Sequence, residues 1–327
     1  MHIKEIATEL KRIPLKTPFI TALRRVENVE FVRVKIECDN GFVAFGEAPA
    51  TMAITGEDLP IITASIESLK NALLSQTPRN ALALLRDSKV GSSAKAALDM
   101  AFVSLLAQEK GLELYEYLGA PKKLDVQTDI TISLNATETM IKDARDACES
   151  GLYILKIKLG GDISHAIATT KAIAKELPEA KLLIDANQAW SLEESLAYVN
   201  AVTDVKIELL EQPVKADDLA ALKIITNATD IPILADEAAF TLSDVKKIVE
   251  SKSADMINVK LMKCGGLTKA VEILEYAREM NVKCMLGSML EGPISINTAM
   301  NLAMAYADVI KYVDLDSPLL YKEEVGF

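Results

Sequence analysis

At 327 residues the chain exceeds the roughly 250 that one (β/α)₈ barrel uses, and with half its residues hydrophobic and a quarter charged it can bury a large core with room for a second unit. A net charge of −11 argues against nucleic acid or an anionic membrane as partner, and no run of about 18 apolar residues is present to span a bilayer. Two histidines, His2 and His165, and four scattered cysteines without a CxxC pair argue against Ser-His-Asp hydrolysis, a zinc site and disulfides; with no apolar segment in the charged N-terminus, a cytoplasmic protein with reduced thiols is expected.

Residues 3–14, 29–37 and 42–48 read as strands, the last two joined through Asn40-Gly41, a strong hairpin signal. Between the first two, TPFITALRRVEN is polar and irregular and reads as a loop carrying Arg24 and Arg25. A second loop, APATMAITGED, follows the hairpin. Helices are expected over 57–75, 79–87, 92–110 and 112–118, the third with Ala97, Met100, Ala101 and Leu105 in helical spacing. Strands followed by helices, without alternation, read as an α+β unit over residues 1–120, and Gly119 and Pro121 punctuate the boundary.

Over residues 121–327 strands and helices alternate. ITISLN, YILKIK, KLLIDAN, KIELLEQP, IPILADE, MINVKLMK, VKCMLGS and IKYVDLD recur about every 25 residues, the length of one strand plus one helix. Most end in charged or polar residues, the pattern of a parallel α/β barrel whose catalytic groups gather at the C-terminal strand ends. Asp185, Glu211 and Asp236 then stand side by side, with Lys158 and Lys260 flanking them. Three carboxylates without histidine or thiolate make a hard-oxygen site that suits Mg²⁺ or Mn²⁺. Lys156 and Lys158 alternate and so share a face. An ammonium beside another ammonium and a divalent cation is expected to have a lowered pKa, leaving a neutral amine as base. Two amines on opposite sides of a substrate can remove a proton from one face of a carbon and return it to the other. A cation on carboxylate oxygens stabilises the ene-diolate, so the constellation implies proton abstraction α to a carboxylate.

LKIK at 155–158, DAN at 185–187, EQP at 211–213, ADE at 235–237 and KLMKCGG at 260–266 resemble the successive motifs of the enolase superfamily, muconate-lactonizing subgroup. The resemblance covers nearly the whole chain and implies a modified TIM barrel, (β/α)₇β, with an N-terminal α+β capping domain. It also implies that Asp185, Glu211 and Asp236 ligate Mg²⁺, that Lys158 and Lys260 are the acid/base pair, and that Lys156 tunes Lys158 and helps hold the substrate carboxylate. The superfamily often forms symmetric assemblies, so a homo-oligomer is expected. In this family a segment usually returns to the capping domain after the last barrel strand. The chain stops at Phe327, and the expectation is that this segment is missing or the cap less complete.

The same lysines and metal serve cycloisomerases, o-succinylbenzoate synthases, N-acylamino acid racemases and dipeptide epimerases, so the choice rests on other residues. Asp314 and Asp316 in VDLDSPLL alternate, face the same way and can hold an ammonium group. This Asp-x-Asp resembles the element by which dipeptide epimerases bind the free N-terminus. KTPFITALRR resembles a loop in which an arginine, here Arg24, meets a glutamate side chain, and AITGE a second specificity loop with Ile54 against the substrate. GSMLEG places Ser288 and Glu291 near the seventh strand end, with Glu291 expected to position Lys260. The resemblance thus implies an isomerase acting on dipeptides, L-Ala-L-Glu favoured, in murein peptide recycling. A racemase, synthase or cycloisomerase of the same superfamily, and a barrel that binds Mg²⁺ and a carboxylate without turnover, stay as alternatives.

Overall fold

A computed structural model describes residues 1–22, 24–323 and 325. Leu23 of the expected loop and Phe327, the expected end of the barrel region, lie outside the described residues. The chain begins with β1 (Ile3–Ile20), β2 (Arg25–Cys38) and β3 (Val43–Pro49), then α1 (Met52–Thr55), α2 (Leu59–Leu73), α3 (Pro78–Asp87), α4 (Ser92–Glu109) and α5 (Leu114–Tyr117). Next come β4 (Ile130–Ile132), α6 (Thr137–Glu149), β5 (Ile154–Lys158), α7 (Ile163–Glu176), β6 (Lys181–Asp185), α8 (Leu192–Ala201) and β7 (Ile207–Glu211). The series continues with α9 (Leu219–Ala228), β8 (Ile233–Ala235), α10 (Leu242–Ser251), β9 (Met256–Lys260), α11 (Leu261–Cys264), α12 (Leu267–Glu279), β10 (Lys283–Gly287), α13 (Pro293–Ala305), β11 (Ile310–Asp314) and α14 (Ser317–Leu320).

β1, β2 and β3 form an antiparallel sheet in that order. Gly41, at φ 86°, supplies the left-handed residue that the β2–β3 turn requires. The loop expected between the first two strands is corrected: Phe19 pairs with Val26 and Ile20 with Arg25, so the strands continue almost to the tip. Pro14 and Pro18, which offer no ladder N–H, fall in the irregular stretch between Pro14 and Phe19. There Leu15 pairs instead with Tyr321, and Lys322 N–H donates to Pro14 O at 2.8 Å. The chain after β11 therefore does return to the first sheet, where Tyr321 packs with Ile13, Leu15, Val29, Phe31 and Leu290.

β4 to β11 form one parallel sheet in sequential order, nearly closed into a barrel: seven strand–helix units and a final strand. The seam is drawn together by Asp129 N–H donating to Val313 O at 2.9 Å. Its strands are apolar runs because helices cover one side and the packed interior the other. Leu183, Leu209, Leu234, Met256, Met285 and Tyr312 plug the interior. Side chains alternate along a strand, so two residues beyond Leu183, Leu209, Leu234 and Tyr312 stand Asp185, Glu211, Asp236 and Asp314. The apolar layer is the floor of the polar one.

α4 carries 13 buried residues out of 18, since it lies between the first sheet and the barrel. Gly46 allows the close approach: a Cβ there would lie 1.8 Å from Ala97 O. Two carboxylates bind the units across this boundary. Glu47 of β3 accepts from Ile294 N (2.9 Å) and Ser295 N (3.1 Å) at the start of α13, and Asp99 of α4 accepts from Thr268 N (3.1 Å) and Thr268 Oγ1 at the start of α12. Both helices have glycine at the N-cap, Gly292 and Gly266, where a Cβ would stand 2.4 Å from Glu47 Oε2 and 2.5 Å from Asp99 Oδ1. The amides that a side chain at the cap would satisfy are satisfied from the other unit.

Candidate active site

Backbone register sets the charged layer. Lys158 on β5 lies opposite Asp185 on β6, Asp185 opposite Glu211 on β7, and Gly287 on β10 lies between Lys260 on β9 and Asp314 on β11. Asp236 follows β8 directly. Lys158 Nζ donates to Asp185 at 2.5 Å and Lys260 Nζ to Asp236 at 2.7 Å, so each lysine rests on a different carboxylate. Lys156, fully buried, reaches Asp314 at 2.6 Å, Glu211 at 2.7 Å and Asp185 at 3.4 Å.

The carboxylates of the layer set the charge state of these lysines. Burial works against the charge of Lys156, but Asp314, Glu211 and Asp185 outweigh it and hold its pKa well above the ordinary value. Lys260 is likewise raised, burial being overcome by Asp236. Carboxylates outnumber ammonium groups in this layer, and the repulsion between lysines is the smaller effect. The imbalance shows on the acids too: burial and then Asp185 push Glu211 up to about 7, and burial and then Asp236 push Glu237 up to about 8.

Further groups fix these side chains. Gln212 Oε1 accepts from Asp236 N at 3.0 Å, Asn258 Nδ2 donates to Glu211 at 2.8 Å, and Asn187 N donates to Asp185 at 2.9 Å. Asn187, Gln188 and Gln212 have positive φ (44°, 62° and 36°), a concentration of backbone strain at the ends of β6 and β7. Lys263, not singled out from the sequence, donates to Asp236 Oδ1 at 2.5 Å, to Asp236 O at 2.6 Å and to Asn258 O at 2.8 Å. It lies three residues beyond Lys260, in the short helix α11.

Above this layer is a cleft whose walls include Lys158, Lys260, Asp314, Asp316, Arg24 and Ile54. Asp316 accepts from Thr131 N at 2.7 Å, and Ser288 Oγ donates to Asp314 O at 3.1 Å. Burial, then Asp314, raise Asp316 to about 6. Arg24 sits at the tip of the β1–β2 hairpin; burial lowers its pKa, and among the described residues no carboxylate pairs with it. Glu291 lies below the cleft. Glu291 accepts from Met289 N at 2.8 Å and from Ser295 Oγ, while Lys260 donates to Asp236. Burial pushes it up to about 7.

The donor set fits a hard divalent cation. Asp185, Glu211, Asp236 and Glu237 stand at successive strand ends with oxygen donors only, and among the described residues Glu237 Oε2 and Asn187 Oδ1 are buried without a hydrogen-bond partner. Unsatisfied buried acceptors beside like charges are what a cation relieves. Among the described residues, the acidic group whose ligand atoms lie within 4.8 Å of one another is Asp129, Asp314 and Asp316. Asp129 was not legible as a site residue.

Residues 3–119 match the family described as mandelate racemase / muconate lactonizing enzyme, N-terminal domain, and residues 139–325 the enolase C-terminal domain-like family. The chain is 58% identical over 324 residues to the L-amino acid-D/L-Glu epimerase of Sulfurimonas denitrificans, covering 99% of this chain and 95% of that one. The structure of a substrate-liganded complex of the L-Ala-D/L-Glu epimerase from Bacillus subtilis superposes with a TM-score of 0.96 at 41% identity, over 99% of this chain and 92% of that one. The Enterococcus faecalis dipeptide epimerase complexed with Mg and the dipeptide L-Leu-L-Tyr gives 0.95 at 35% identity, over 99% and 93%. From its first sheet through its barrel, the chain belongs to the enolase superfamily of enzymes, in the mandelate racemase / muconate lactonizing enzyme group.

Proposed function

We propose that the protein is a Mg²⁺-dependent dipeptide epimerase that inverts the α-carbon of the C-terminal residue, with L-Ala-L-Glu to L-Ala-D-Glu favoured. The observation that carries this reading is that one cleft is walled jointly by two lysines, an acidic pair and an arginine with no carboxylate partner among the described residues. A dipeptide with an acidic second residue has the complementary groups: an ammonium for Asp314 and Asp316, a side-chain carboxylate for Arg24, and an α-carbon between Lys158 and Lys260. The epimerase names of the relatives support it.

Asp185, Glu211 and Asp236 are the residues that would hold Mg²⁺, which when bound would supply positive charge to a substrate carboxylate. One of these lysines removes the α-proton and the other delivers a proton to the opposite face. Lys156 neutralises the floor of the site, Ser288 holds the Asp314 backbone, and Ile54 closes the cleft over the substrate. Murein peptides are a source of such dipeptides.

Incubating a dipeptide library with enzyme and Mg²⁺ in D₂O tests the proposal by mass spectrometry. A one-deuteron gain, strongest for Ala-Glu and abolished by a chelator, is expected. Exchange into N-acylamino acids in place of dipeptides would overturn it.

A further inference from the structure

Asp129 has no part in the chemistry above, yet it is fully buried beside the acidic pair. Its backbone is part of the barrel seam. Its N–H donates to Val313 O at 2.9 Å, and the neighbouring Thr128 Oγ1 accepts from Leu315 N at 2.8 Å, so the residue cannot swing away from the end of β11. Among the described residues, neither of its carboxyl oxygens meets a donor. What lies within hydrogen-bond reach is another carboxylate, Asp314.

The charged groups facing Asp129 are Asp314 and Asp316 at the end of β11 and Lys156 on β5. The nearby donors are already engaged, the Lys156 ammonium by Asp314 Oδ2 at 2.6 Å and Thr131 N by Asp316 Oδ2 at 2.7 Å. Two carboxylates in buried contact without a donor between them cannot both be ionised. Burial favours neutrality at Asp129, the member of the pair away from Lys156, and burial together with Asp314 and Asp316 pushes its pKa well above the ordinary range.

We propose that Asp129 is a positioning residue of the ammonium pocket, an un-ionised carboxyl group that donates a hydrogen bond to Asp314 and fixes its direction. Two anionic charges, on Asp314 and Asp316, then balance two cations, Lys156 and the ammonium of the substrate. This rests on the reading of Asp314 and Asp316 as the ammonium receiver. Asp129 does not line the cleft, so it acts through Asp314.

The test combines infrared difference spectra of protein carrying carboxyl-¹³C aspartate with kinetics of Asp129→Asn, Asp129→Ala and Asp314→Asn. Expected at pH 7.5 is the carbonyl stretch of an un-ionised carboxylic acid, lost in Asp129→Asn. Asp129→Ala raises KM for Ala-Glu about tenfold or more with a smaller change in kcat, and Asp129→Asn, which keeps a neutral donor, recovers most of that loss. Absence of the band, an Asp129→Asn KM as poor as that of Asp314→Asn, or a second metal ion per chain that this substitution removes would each overturn the proposal. Should Asp129→Ala fail to fold, the band and the asparagine variants decide. N-acetyl-Ala-Glu separates the two readings: if the wild type processes it as well as Ala-Glu, the ammonium reading falls, while the infrared band still reports on the proton of Asp129.

Discussion

Gly287 stands in register with Lys260, and a Cβ built on it would lie 2.9 Å from Lys260 Cε and 2.6 Å from Asn258 Oδ1. The lysine crosses the space a side chain would fill. Gly287→Ala is therefore expected to displace Lys260 and lower kcat by about 10- to 100-fold, since catalytic groups misplaced by an ångström lose rates of that order. Steady-state kinetics alongside a melting curve check it. A variant with full kcat would show that Lys260 has other room.

Replacing Lys158 or Lys260 by alanine is expected to lower epimerisation by about a thousandfold or more while dipeptide binding stays within a few-fold, because neither ammonium holds the substrate's ends. Calorimetric titration of Ala-Glu into each Mg²⁺-loaded variant separates the two effects. Binding lost in proportion to turnover would show that the lysine holds the substrate instead of moving its proton.

Arg24→Met removes the guanidinium that burial leaves desolvated in the cleft. For Ala-Glu, kcat/KM is expected to fall by about 10- to 100-fold, the cost of an unpaired buried carboxylate, with little change for Ala-Leu. Parallel assays of the two peptides decide it, and an equal loss on both would remove Arg24 from specificity.

Asp99 is raised from the usual 3.8 to about 6, by burial first, with its Thr268 bonds opposing. A carboxyl raised on folding favours the native state below the unfolded pKa, and that contribution is lost as pH rises through the folded one. From pH 4 to 7 the wild type therefore gives up as much as about 3 kcal/mol that Asp99→Asn keeps. Melting temperatures of both proteins across that range are expected to diverge in favour of the asparagine variant. A gap independent of pH would contradict the assignment.

The barrel and its charged layer were legible because parallel strands announce themselves as short apolar runs, and Asp185, Glu211, Asp236 and Asp314 each end or immediately follow one. Asp129 was not, since it precedes a strand of only three residues and looks like the end of a polar linker. The hairpin bearing Arg24 was read as a loop because TPFITALRRVEN is polar and irregular, whereas the pairs Phe19 with Val26 and Ile20 with Arg25, and Leu15 with Tyr321, carry the strands through it. The carboxylates around Lys156 were not legible because a strand pattern shows that Lys156 faces inward but not that Asp314, more than 150 residues later, meets it. Glu47 and Asp99 carry no local sign of the helices they serve.

Those two acids also limit how freely such units can be exchanged. A hybrid that joined this barrel to another protein's first 120 or so residues would begin α12 and α13 with glycine and no carboxylate for their amides, unless acids stood at the places of Asp99 and Glu47. The graft would have to match at these two points before any fit at the cleft mattered.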